Sequence, residues 1–585
     1  MTRVFLCAAL LAPALCAAQT ASERLERLAA DAYEQRLDLF PVAEIFSRGA
    51  GRRQDRVELT LSEEHRERQR AHIRWVLREL EAIPVGELSE SERLTHALLA
   101  YGARDWSEWL AQPFQLHSAF IHLGGGVAFG LVQVVNRQPL RNEEDYRAWF
   151  RRLQRSVPFW ADVERVMREG MAAGITTPQV IARRTLGQLE ALTPQEMEKS
   201  SLWKPITNFP AAIDKDARVR LEAEYRKLLA DEVFPALRRL ASFAREEYLP
   251  RARTSDGFGA LPGGERMYRY AVKSETTTEL TPEEIHSRGL AEVKRIQAVF
   301  LATARKAGFS GPISGFRAWL EQNPANHPFR SSDEVLAYLN AINGRIVPQL
   351  PKLFGRIPRS AFVIQAADPT IAASAPAQYY WPTDDGKPGI FAMPIVNPRA
   401  VSILNLASLL AHEGMPGHHM ETVKFDNKVP EFRRRIWFGA FGEGWALYAE
   451  SLGQEIGLYD TPLALVGRYS DELYRACRLV VDTGLHSRGW PRMKAIRYMV
   501  DECASTEAGA TNEVLRYMVW PGQALNYKIG ELTLLELRAK AEKQLGRRFD
   551  VRAFHDTLLG EGPLPLEMLK TRMDAWLAAQ ARRGV

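Results

Sequence analysis

HEGMPGHHM, residues 412–420, packs three histidines and a glutamate around a Pro-Gly pair. A hydrolytic zinc site needs this kind of residue set: three N or O ligands hold the ion, a further position stays open for water, and a separate carboxylate takes the water's proton. In the common HExxH helix the two histidines lie one turn apart and the glutamate beside the first acts as base. Here His418 follows His412 by six residues, which at about 100° per residue sends the two rings to widely separated faces of a regular helix. His419, one residue later, regains the face but lies about 10 Å farther along the axis. With metal–ligand bonds of roughly 2 Å, neither pair can share an ion unless the helix is deformed. Pro416 supplies no N–H to the carbonyl of His412, and Gly417 admits backbone angles closed to other residues. The segment therefore predicts a bulge that swings His418 back beside His412. His412 and His418 are the expected ligands and Glu413 the general base, with His419 as the alternative second ligand.

A third ligand has to come from a helix packed against the first. FGEGWALYAESLG, residues 441–453, offers Glu443, 25 residues beyond His418, which leaves room for a connection and a return. Glu450, seven residues after Glu443, shares its helical face and is placed to orient a ligand histidine from behind. Both acids would be plain surface groups on an amphipathic helix, except that Gly442, Gly444, Trp445 and Tyr448 around them speak for close packing.

Outward from this core the chain reads as mainly α. SEEHRERQRAHIRWVLRELEAI, SERLTHALLAYGARDWSEWL and RVRLEAEYRKLLADEVFPALRRLASFAREEYL each repeat apolar residues at three- and four-residue spacing, giving an N-terminal helical region over 19–250. The Gly-rich stretch RTSDGFGALPGGERM marks the main boundary, followed by a short extended segment, MYRYAVKSETTTEL. Thr281-Pro282-Glu283-Glu284 then opens a helix with a cap, an N1 proline and early acids. Between about 358 and 399 the runs SAFVIQAA, AQYYWP and GIFAMPIV predict a small sheet inside a catalytic region spanning 265–585. In that sheet GKPGIFAMPIVNP is a candidate edge strand to which an extended peptide would add, with Gly389 permitting close approach; an ordinary strand fits as well.

The first 18 residues carry one arginine, an apolar run and a small-residue end at Cys16-Ala17-Ala18. They fit a signal peptide cleaved after Ala18, with lipidation of Cys16 as the weaker alternative because Leu15 precedes it. No other stretch is apolar enough over about 20 residues to cross a bilayer, so no stable membrane span is expected and the localisation is periplasmic or secreted. The net charge of +6 is small against 77 basic and 71 acidic residues, and without a one-sign block it offers nothing to a nucleic acid. Beyond the signal stand Cys477 and Cys503, which suit either a disulfide or two small buried side chains. No phosphate loop, serine elbow or paired CxxC motif competes with the histidine cluster.

Amide hydrolysis also needs a donor for the developing oxyanion. His486 in TGLHSRGW, Tyr527 and Lys528 in PGQALNYKIG, and Arg516 and Tyr517 ahead of them are the candidates, each with an ordinary packing role as the alternative.

HEGMPGHHM, then FGEGWALYAE, then RLVVDTGLHSRGW and RYMVWPGQALNYKIG, resembles the bacterial DUF885 family, whose HExxPGH pattern relates it to gluzincin-type metallopeptidases. The resemblance implies a large helical two-lobed metallopeptidase-like fold with a small β-sheet next to the metal cleft. It carries metal-site roles onto His412, Glu413, His418 and Glu443, and it favours His486 and Tyr527 as transition-state donors. Arg516, apart from the resemblance, is the candidate binder of a substrate carboxylate. The function expected is that of an exported zinc-dependent hydrolase, a peptidase that uses metal-activated water. The alternatives are a metalloamidase acting on cell-wall peptides or other amides, and a non-catalytic zinc-containing binding protein.

Overall fold

In the computed structural model, the described residues are 19–49, 51–122, 126–358, 360–367, 377–382, 388–422 and 430–582. The expected signal peptide lies outside them.

Local chemistry sets the helix ends where the sequence places them. Thr20, Ser89 and Thr281 each accept a hydrogen bond from the N–H three residues on, and Glu23, Glu92 and Glu284 each accept one from the cap residue's own N–H, forming capping boxes on the helices Ala21–Leu39, Glu90–Leu110 and Pro282–Lys306. The first helices bury one stripe each in a small core of their own, around Leu25, Ile73, Val76 and Leu110. Residues 119–252 enclose a second core built on Trp149, Tyr225 and Phe234. The largest core gathers Phe258 and Met267 with Trp445, Leu534 and Leu569, and Ala29 and Leu98 reach into it from the N-terminal helices.

The expected extended segment after the Gly-rich stretch is instead helical, over Gly264–Thr276. Its aromatic and β-branched residues read as a strand, but Met267, Tyr268, Ala271 and Val272 fall on one helical face and are buried together. Thr277, at φ 52°, ends the helix.

The three β-type runs form one sheet: β1 (Phe362–Ala366), β2 (Gln378–Tyr380) and β3 (Gly389–Met393). Its order is β1-β3-β2, with β3 parallel to β1 (Phe362 opposite Gly389) and antiparallel to β2 (Tyr379 opposite Phe391). The strand expected at the edge is thus the central one. Both of its sides are taken by β1 and β2, so no peptide can add to it.

Behind the sheet run the helices Leu406–Glu413, Gly439–Glu455, Pro462–His486, Glu507–Val519 and Asn526–Leu545. Gly439–Glu455 and Asn526–Leu545 cross with Gly444 against Gly530, so closely that a Cβ on Gly444 would meet the Gly530 Cα at 2.4 Å. A disulfide joins Cys477 to Cys503 in a buried cluster.

Candidate metal centre

The helix that carries His412 stops at Glu413, and a new helical turn starts at His418 (His418–Thr422). Between them the Met415–Pro416 bond is cis. Two hydrogen bonds hold the returning chain: the His419 N–H donates to the Gly414 carbonyl (3.1 Å), and the Trp445 indole N–H donates to the Pro416 carbonyl (2.8 Å). Gly417 passes so close to the first helix that a Cβ would lie 1.9 Å from the His412 carbonyl oxygen. The deformation is therefore a full break where a bulge was expected, and its effect is the expected one: the His412 and His418 rings meet at right angles with centroids 4.9 Å apart.

Glu443 faces both rings. Its Oε2 lies 3.5 Å from His412 Nε2 and 3.4 Å from His418 Nε2, and one ligand atom from each of the three residues falls within 4.8 Å of the others. The 3.4–3.5 Å separations match the edge of a tetrahedron with bonds of roughly 2.0–2.1 Å, which is about 3.4 Å.

Behind His412, buried Glu450 accepts from Nδ1 at 2.8 Å, which leaves Nε2 as the lone-pair nitrogen facing Glu443. Arg475 braces Glu450 at 3.5 Å and pairs with Asp471 at 3.3 Å; Asp471 in turn accepts from Ser408 on the metal helix. No motif in the sequence marks Arg475, although Asp471, Arg475 and Arg478 recur on one face of the helix Pro462–His486.

Electrostatically the cluster favours a cation. Glu413, Glu421, Glu443 and Glu450 surround two imidazoles, against the guanidinium of Arg475. Burial opposes charge on His418, yet Glu421, Glu443 and Glu413 outweigh it and hold the ring's pKa up at about 10. Burial likewise raises Glu443, but the two histidines carry it well below the usual carboxylate range. Two imidazole nitrogens and one carboxylate oxygen, converging from buried and braced side chains, fit a zinc-type divalent ion.

Glu413 is buried, and among the described residues its carboxylate has no hydrogen-bond or ion-pair partner. Burial lifts its pKa, His412 and His418 pull against that lift, and Glu443 adds to it. Such a carboxylate is free to accept a proton. Tyr527 lies nearly parallel to His412, at 19° with centroids 6.3 Å apart, and the Arg478 guanidinium sits 4.4 Å from its ring centre. Tyr379 of β2 stacks on His418 at 17°, so the small sheet roofs the cluster.

Other expected residues have different tasks. His419 is fully buried and faces Tyr379 Oη at Nδ1 (2.8 Å) and the Ser360 carbonyl at Nε2 (3.2 Å); it ties the sheet to the turn at residues 418–422, and His418 is the histidine that stands with His412 and Glu443. Gly389 makes room for that same pair, since a Cβ there would meet His419 Nδ1 at 2.5 Å and Tyr379 Oη at 2.6 Å, so its open face is turned to side chains and not to a substrate. His486 accepts from the Phe258 N–H at Nδ1 (3.1 Å) and reaches the Tyr517 carbonyl at Nε2 (3.0 Å). With both nitrogens on backbone and its pKa pushed down by burial to about 3, it holds the fold together and has no atom left for an oxyanion. Arg516 is engaged by Glu513 (2.9 Å) and by Gln523, so its charge is already answered inside the protein. Lys528 is fully buried among Glu292, Glu472 and Glu531 at 2.6–3.0 Å.

A family model described as "Bacterial protein of unknown function (DUF885)" matches residues 45–573. No curated protein matches the sequence. Among solved structures, one described as "the putative lipoprotein from Colwellia psychrerythraea" superposes with a TM-score of 0.88 at 26% identity, covering 96% of this chain and all of the other. A second, described as "a putative lipoprotein of unknown function from Shewanella oneidensis", gives a TM-score of 0.72 at 16% identity, covering 95% of this chain and all of the other, a likeness of fold alone.

Proposed function

The chain belongs to the DUF885 family, and from its histidine–glutamate cluster we propose that it is an exported zinc-dependent hydrolase, a gluzincin-like peptidase cleaving amide bonds. The observation that carries this reading is the convergence of His412, His418 and Glu443 beside a buried carboxylate, Glu413, that has no hydrogen-bond or ion-pair partner among the described residues. A zinc ion held by the three would supply Lewis acidity, acidifying water and polarising the scissile carbonyl. Glu413 takes a proton from the attacking water and passes it to the departing amine nitrogen. Glu450 and Arg475 keep His412 in its Nδ1–H tautomer. Tyr527 offers its hydroxyl to the oxyanion, with Arg478 stacked on its ring.

Export is supported by the apolar, small-residue N-terminal sequence, by the Cys477–Cys503 disulfide, which suits an oxidising compartment, and by structural relatives described as lipoproteins. Among the described residues no helix is long and apolar enough to cross a membrane.

The test is Glu413→Gln, assayed on a mixed peptide library by mass spectrometry, with and without chelator. The variant keeps wild-type zinc content and loses hydrolysis by about 100-fold or more; full activity in the variant, or cleavage by the wild type that ignores chelator, refutes the assignment.

A further inference from the structure

Next to the metal centre lies a cavity of about 590 Å³, in the range typical of sites for small organic ligands. The helices Ala21–Leu39, Glu63–Glu81, Glu90–Leu110 and Gly264–Thr276 wall it, and residues 432–438 close it toward the cluster. The junction is Trp437, which lines the cavity and also packs its ring 5.8 Å from that of His418. A molecule in the cavity thus lies against the same indole that touches a metal-site histidine.

The walls are aromatic, with Tyr33, Tyr101, Trp106, Trp109 and Tyr270 facing inward beside Trp437. Their charge is one-sided: Arg36, Arg66 and Arg435 line the cavity against a single acid, Asp105. Asp105 is already engaged, accepting from Tyr270 Oη at 3.1 Å and Ser274 Oγ at 3.2 Å. Arg66 donates to the Leu110 carbonyl. Arg36 differs from both. It is solvent-accessible, its guanidinium lies 6.0 Å from the Trp106 ring centre, and among the described residues that guanidinium has no hydrogen bond or ion pair. A planar guanidinium with five unused donors, set in an aromatic hollow, is built to take a carboxylate in a fork.

We propose that this cavity seats the C-terminal part of a peptide substrate, taking apolar or aromatic side chains against the tryptophans and tyrosines and pairing the terminal carboxylate with Arg36. The proposal rests on the hydrolase reading for what happens to the peptide, but its binding chemistry stands apart from the metal. It makes the protein selective for peptides that end in a free carboxylate.

The probes are the tripeptide Phe-Ala-Phe as free acid and as C-terminal amide, titrated calorimetrically into full-length Glu413→Gln protein, with tryptophan fluorescence as a second readout. The free acid binds at least about tenfold more tightly than the amide. Arg36→Ala removes that preference while its thermal melt stays close to the wild-type value, because among the described residues the guanidinium has no hydrogen bond or ion pair to lose and its contact with the Trp106 ring is long; Arg36→Lys keeps part of it. Equal affinity for acid and amide, no binding of either, or a preference that survives Arg36→Ala overturns the proposal. Hydrolysis by the wild type separates the two readings. Cleavage without carboxylate preference leaves the hydrolase and removes this cavity's role, whereas an Arg36-dependent preference without cleavage keeps the cavity and removes the hydrolase.

Discussion

Adding one methyl group at position 417 dismantles the proposed metal centre without altering a ligand. An alanine Cβ there would sit 1.9 Å from the His412 carbonyl oxygen and 2.4 Å from that of Ala411, both backbone atoms that no rotamer change can move aside. Real Cβ contacts essentially never fall below 3.0 Å, so the turn carrying His418 and the helix carrying His412 must separate by at least 1.1 Å, the difference between 3.0 and 1.9 Å. A metal site tolerates only about 0.2 Å in its bond lengths. Gly417→Ala is therefore expected to weaken zinc binding by at least about 100-fold, the upper end of what loss of a ligand-orienting contact costs. Competition against a chromogenic chelator at neutral pH measures this, with circular dichroism to confirm that the chain is folded. A folded Gly417→Ala protein with wild-type zinc affinity would show that the close approach does not position His418, and the mechanical account of HEGMPGHHM would fall.

Three further outcomes follow from the same geometry. Glu450→Ala strips His412 Nδ1 of its acceptor and leaves Arg475 with Asp471 as its ion-pair partner among the described residues; zinc affinity drops by about 10- to 100-fold in the chelator assay, and an unchanged affinity refutes the orienting role. His486→Ala leaves the Phe258 N–H buried without its acceptor and the Tyr517 carbonyl with the Trp520 N–H as its remaining donor, a loss of roughly 1–3 kcal/mol in denaturant unfolding, with turnover per folded molecule unchanged; a selective fall in turnover would restore the histidine to the site. Asp482, fully buried and accepting from Tyr268 Oη (2.7 Å) and the Gly522 N–H, has its pKa raised by burial to about 7. Between pH 3.8 and about 7 the folded chain keeps a proton that the unfolded chain has released, so this group's stabilising contribution is lost as pH rises through that window. Asp482→Asn accordingly gains stability relative to wild type between pH 4 and pH 8, by up to roughly 4 kcal/mol, and a pH-independent difference between the two proteins would refute it.

What the sequence disclosed and what it withheld divide along physical lines. The convergence of His412, His418 and Glu443 was legible because a metal site would demand particular atoms at particular separations, and only a broken helix brings two histidines six residues apart face to face. The three strands were legible for a similar reason, since Pro, Gly and Asp bound each apolar run. The order of those strands was not, because pairing partners leave no mark on an isolated run, and β3 turned out central. The helix Gly264–Thr276 was misread because β propensity at Tyr268 and Val272 outweighed a helical pattern that tertiary packing then selected. His486 and Arg516 show the limit most plainly. A histidine beside a turn and an arginine at a helix end carry no label for their partners, and those proved to be the Phe258 and Tyr517 backbone and Glu513. Arg36 was invisible for the converse reason: on an amphipathic helix it reads as one more solvated cation, and only the surrounding aromatic rings make it unusual.

The Gly444–Gly530 crossing gives the molecule a division of labour. Where backbone rests on backbone there is no side chain to remodel, so Glu443, next to one glycine, and Tyr527, three residues before the other, stand on ground that mutation cannot shift by small steps. The cavity has the opposite character, with walls of exchangeable side chains from helices far away in sequence that adjoin the histidines through Trp437. Variation there alters which molecule is held while leaving the coordination geometry untouched. If the proposed roles hold, related chains can diverge in what they recognise while inheriting one unaltered arrangement of His412, His418 and Glu443.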